Sequence, residues 1–142
     1  MDYPPTCIKG VPNVTFLNDE GCVGMQLFLF DGSGDRGDGW LESSVNWRDD
    51  EEAVAVTLRQ RKADGQIQFR IGAALLPRDE IEQLRRRPLL IGLLEYERRP
   101  LDDNPYHGNI LVRAGTSKPT RNLIASGLAL AVTEIIPQAA DA

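Results

Sequence analysis

His107 is the only histidine in the chain. It lies in Asp102-Asp103-Asn104-Pro105-Tyr106-His107-Gly108-Asn109-Ile110. Imidazole is the side chain whose ordinary pKa lets it take and give protons near neutrality. The chemistry it suggests is general acid/base catalysis, with Asp102, Asp103, Asn104 or Tyr106 orienting the ring. A second segment, Glu42-Ser43-Ser44-Val45-Asn46-Trp47-Arg48, offers two hydroxyls and a guanidinium. If its strand pairs beside the strand that follows His107, then Ser43, Ser44 and Arg48 would meet the histidine, as a small hydrolase or nuclease requires. The same residues also read as architecture. Asn104 can bond back to its own backbone, Pro105 fixes φ, and Gly108 releases the chain into a strand. Architecture is the reading adopted, because the sequence shows no nucleophile paired with a base and no GxSxG elbow.

Asp31, Ser33, Asp35 and Glu42 match positions 1, 3, 5 and 12 of a calcium-binding loop. The sixth position, where the sharp turn calls for glycine, is Arg36, and the flanking segments read as strands, so a mobile hairpin loop is expected instead. The triplet Arg36-Gly37-Asp38 resembles an integrin ligand only by coincidence in a chain with no secretion signal. Two cysteines and one histidine cannot make a four-ligand zinc site. A Cys7–Cys22 disulfide is open on spacing, but the start of the chain carries no signal-peptide pattern, so reduced thiols in a cytoplasm are expected. No phosphate-cradling or dinucleotide motif occurs, and no cofactor is expected. The longest apolar runs, such as Leu89–Leu94, are too short for a bilayer.

These side chains have to be held by a fold. A chain of 142 residues with 42% apolar and 26% charged content fits one globular domain with its own core. We read residues 1–10 as an arm, Val11–Phe16 as a short edge strand and Val23–Phe30 as a strand. Residues 31–39 form a glycine-rich loop, and Leu41–Trp47 alternates as a half-buried strand with Trp47 as a core anchor. Acidic residues 49–52 open a helix that runs to about Lys62. Gln66–Leu76 alternates as a strand, and Pro77 opens a short helix ending at Arg85-Arg86-Arg87. Leu89–Tyr96 is taken as a central strand and Gly108–Val112 as the last strand. A long C-terminal helix follows from Ser117 or Lys118, with Leu123, Ile124, Gly127, Leu128, Ala131 and Ile135 facing the core. The expected class is α+β, a single mixed, mainly antiparallel sheet packed by two or three helices.

The strand Ser44-Val45-Asn46-Trp47 and the turn Asn104-Pro105-Tyr106-His107 resemble a set of small bacterial proteins of unknown function. Those proteins carry Ser-Val-x-Trp near the middle and Asn-Pro-x-His before the last strand, over a stretch equivalent to residues 41–136. They more usually continue Ala-x-Ile after the histidine, where this chain has Gly108-Asn109-Ile110. The resemblance implies an association with conflict or mobile-element systems and no established activity. The net charge of −5 argues against a general grip on nucleic acid. Taken together, these features predict a non-enzymatic module that binds another protein, with an enzyme using His107 as the alternative. A homodimer is expected if the 11–16 edge is left uncovered.

Overall fold

The structure, a computed structural model, describes residues 3–30 and 36–139. Six strands form one sheet in the order β4-β5-β2-β1-β3-β6, and every neighbouring pair is antiparallel. The strands are β1 (Thr6–Val11), β2 (Trp40–Trp47), β3 (Gly72–Pro77), β4 (Leu94–Arg98), β5 (His107–Arg113) and β6 (Glu134–Pro137). Three helices, α1 (Glu52–Arg59), α2 (Arg78–Arg85) and α3 (Lys118–Ala131), pack on it. This is the α+β class expected.

The main core lies on the sheet face covered by α2 and α3, where Cys7, Val45, Trp47, Leu76, Ile110, Ile124 and Leu128 are buried together. Helix α1 lies on the opposite face, over Ile8, Ala73 and Leu75, with Val54 and Leu58 packed against them. Ser117 caps α3, its hydroxyl accepting from the Thr120 amide, and Pro119 occupies the first turn as expected.

Several elements differ from the sequence reading, each for a physical reason. Residues 6–10 are no arm: Thr6–Val11 is an interior strand between β2 and β3, with Cys7, Ile8 and Val11 buried. The 11–16 stretch is not an edge strand. Val14–Phe16 is a 3-10 turn whose Asn13 side chain accepts the Thr15 amide, and the sheet edges are β4 and β6. Val23–Phe30 also forms no strand. Its centre, Met25–Phe28, is a 3-10 turn that buries Leu27 and Phe28 beside α3. Apolar content without strict alternation cannot tell these two outcomes apart. In the 66–76 run, ladder pairing starts only at Gly72, and Phe69 instead lies against Gly10. Leu89–Tyr96 is not a central strand either: Pro88–Leu90 is a turn, Leu89 and Ile91 are exposed, and β4 sits at the edge. Finally, α3 stops at Ala131, so Ile135 belongs to β6 rather than to the helix stripe, and Leu123 faces solvent.

Candidate functional site

β2 and β5 lie side by side, which brings the two motifs together. Asn46 faces His107 across the ladder and Ser44 faces Asn109, so His107 and Ser44 are diagonal neighbours on one face. That face is the one α1 occupies over β1 and β3.

A local departure from regular pairing makes a cleft there. β1 and β2 pair only at Cys7–Trp47 and Ile8–Asn46, with the Arg48 amide bonding the Thr6 carbonyl below them. Had the ladder continued, Lys9 would face Val45 and Gly10 would face Ser44. Instead the strands diverge. The Lys9 ammonium fills the gap, donating to the Ser44 carbonyl at 2.7 Å and to Ser43 Oγ at 2.9 Å. A cleft of about 220 Å³ opens at this divergence, lined on its polar side by Ser44, Asn46, Thr57, Gln60, Gln68 and His107. Ile8, Gly10, Val45, Phe69 and Leu101 supply its apolar walls.

Asn46 is the hub of the cleft and is buried. Its Nδ2 donates to Thr57 Oγ1 at 2.7 Å and its Oδ1 accepts from Asn104 Nδ2 at 2.8 Å. The Thr57 hydroxyl donates to the Ala53 carbonyl, and Asn104 Oδ1 accepts from the Tyr106 amide. One amide thus ties β2 to α1 and to the Asn-Pro-x-His turn, with every member of the network paired. Asn104, expected either to orient the histidine or to build the turn, does the second. The importance of Asn46, Thr57 and Gln60 was not visible in the sequence. Asn46 is one polar residue inside a strand, and no local pattern links it to a helix residue 11 positions away.

His107 is half-buried, with Nδ1 2.9 Å from the Arg99 carbonyl. A carbonyl can only accept, so Nδ1 carries the hydrogen and the neutral ring keeps its lone pair on Nε2. Ser44 is exposed in the same cleft, but among the described residues no hydrogen bond joins its hydroxyl to the ring. Ser43 points the other way, buried and bound to Lys9. Tyr106 packs beside α1, and its hydroxyl donates to Asp50, a hydrogen bond that raises its pKa. Arg48 pairs with Glu51 beyond the end of β2, away from the cleft lining. Of the expected catalytic set, only His107 and Ser44 share the cleft.

Lys9 is half-buried and has no carboxylate partner among the described residues, and burial lowers its pKa to about 8. Burial also pushes the neighbouring Cys7 thiol up to about 12, and both cysteines are free, so the 7–22 disulfide does not form. Of the calcium candidates, Asp31, Ser33 and Asp35 lie outside the described residues. Glu42 stands 3.6 Å from the Arg36 guanidinium, and among the described residues no acidic, cysteine or histidine group could hold a metal ion. Trp47 is fully buried, with its indole N–H donating to the Glu97 carbonyl at 3.0 Å and its ring beside Tyr3 and Tyr96, which makes it a core anchor. The Arg85–Arg87 run does end α2, but Arg85 is held by Glu82 and Glu95. Among the described residues no helix is long and apolar enough to cross a membrane. Comparison with family models, with curated proteins and with solved structures returns no match.

Proposed function

We propose that the chain is a non-enzymatic protein-interaction module whose β1–β2 cleft receives a side chain or short segment of another protein. The observation that carries this reading is the chemistry of the cleft wall. It offers hydroxyl, amide and imidazole groups for hydrogen bonding, and His107 is its one ionisable side chain. Paired acid–base or nucleophile–base work needs a second group, and the neighbouring amides are already committed to each other. At about 220 Å³ the cleft is also smaller than the roughly 300–1,000 Å³ usual for small-molecule sites, and suits a single side chain. The cellular setting proposed with it, an accessory subunit of a bacterial conflict or defence system in the cytoplasm, rests on the motif resemblance.

The test is to fill the cleft. Ser44 is exposed, so Ser44→Arg should fold with an unchanged melting temperature while blocking entry. Cross-linking in the native host, followed by mass spectrometry, should recover a partner with the wild-type chain and lose it with Ser44→Arg. Recovery of the chain alone, or capture indifferent to Ser44→Arg, overturns the reading. The alternative is a small hydrolase, favoured by the open Nε2 of His107 beside Ser44. It requires turnover of a substrate that His107→Gln abolishes.

A further inference from the structure

On the same sheet face as the cleft, alternation lines up Glu42 of β2, Asn109 of β5 and Glu97 of β4, with Asn109 directly opposite Glu97. One guanidinium lies over them. Arg36 Nη1 is 2.7 Å from Glu97 Oε2 and 3.6 Å from Glu42 Oε2, and Nη2 is 3.0 Å from Asp38 Oδ2. Arg99 touches Glu97 only from the exposed rim, at 3.9 Å. Three carboxylates against these two arginines leave one negative charge over. Burial works against the charge on Arg36, yet the Glu97 hydrogen bond and the surrounding carboxylates more than offset it and raise the pKa.

The arrangement fits a guanidinium but does not use this one fully. Asn109 is wholly buried, and its Nδ2 donates to the same Glu97 oxygen that Arg36 holds, at 2.8 Å. That bond fixes which way the amide faces, and Asn109 Oδ1 is left buried with no partner among the described residues. Arg36 Nε is likewise buried and unpartnered. An acceptor and a donor therefore go unmet within one cluster. A planar fork of five N–H groups entering along a different line can serve the Glu97 carboxylate and the Asn109 carbonyl together. A lysine, as a compact point charge, matches such a fork-shaped demand less well.

We propose that Glu97, Glu42 and Asn109 form a docking site for an arginine side chain of the partner protein, which Arg36 occupies from within until the partner displaces it. The proposal rests on the interaction reading and gives the partner a chemistry: an arginine on its contact surface, drawn in by a chain of net charge −5. Arg36 leaves by rotating its own side chain. An internal occupant reduces the apparent affinity of an outside one by the fraction of time the site is empty.

Blocked Gly-Arg-Gly tripeptide and its citrulline twin, which keeps the shape and loses the charge, are titrated by NMR against the 142-residue chain. Arg36→Ala should bind the arginine peptide about tenfold or more tightly than wild type. The citrulline peptide should not bind, and adding Glu97→Gln to Arg36→Ala should remove the gain. Should Arg36→Ala fail to fold, Arg36→Met keeps the aliphatic stem and carries the same comparison. Equal binding by wild type and the vacated variants, equal binding of citrulline, or indifference to Glu97→Gln overturns the arginine site. Any of these with capture still sensitive to Ser44→Arg sinks the arginine site and leaves the cleft reading standing.

Discussion

Lys9 and Asn46 show how two polar side chains can sit inside a small domain under opposite terms. Asn46 has all its partners, so truncation strands Thr57, Gln60 and Asn104 together. Asn46→Ala should cost about 1–3 kcal/mol in urea denaturation, whereas exposed Ser44→Ala should stay within about 0.5 kcal/mol. Lys9 has no carboxylate partner among the described residues. The unfolded chain keeps its proton up to about 10.5 and the folded chain releases it near 8, so between these the unfolded state binds more protons and stability climbs with pH. Cys7 acts in the reverse sense: its folded thiol keeps a proton to about 12 against 9.0 unfolded, which lowers stability as pH rises across that range. Urea midpoints should therefore rise from pH 8 to about 9 and level or fall beyond. Lys9→Met should abolish the rise; a rise that persists in Lys9→Met would assign it elsewhere.

Among the elements, β5 shows how close packing dictates a residue type. A Cβ on Gly108 would run into the Glu97 carbonyl and Trp47 Nε1, the two ends of the hydrogen bond that crosses above it. Gly108→Ala should destabilise by about 1–3 kcal/mol and shift the tryptophan fluorescence, since the indole has to move. Elements with strict alternation or clear caps were legible from sequence: β2, β5 and the start of α3, whereas the meeting of the Ser44–Trp47 and Asn104–His107 segments hung on a strand pairing that the sequence does not specify. Those resting on apolar runs alone were not. Val23–Phe30 buries its side chains through a turn, and β1 has no strict alternation over Thr6–Val11, with Cys7 and Ile8 buried side by side on opposite faces. Half of the candidate site was readable as well. Pairing of the 41–47 strand with the strand after His107 was the condition for bringing Ser43, Ser44 and Arg48 to the histidine, and β2–β5 pairing meets it for Ser44 alone. The split that makes the cleft depends on where β1 stops pairing, a long-range contact with no local signature.

At the level of the molecule, neither sheet border invites another strand. β4 carries Glu95, Glu97 and Arg98, and β6 is four residues long and ends in Pro137. The edge-strand argument for a homodimer therefore falls away with the 11–16 reassignment. A partner of the kind proposed would meet the sheet face on which the cleft and the carboxylates lie.

The short β1–β2 ladder has a mechanical consequence. Each flanking trio, β4-β5-β2 and β1-β3-β6, is stitched along its length, while the seam between them closes over little more than the Thr6–Ile8 stretch. The domain resembles two stiff covers on a narrow spine. Backbone amides of Gly10 and Ser44, at the open end, should exchange with deuterium well before those inside the β1–β3 and β2–β5 ladders. An occupant wedged into the fork would slow them, so exchange at these two positions reports docking without any knowledge of what has docked.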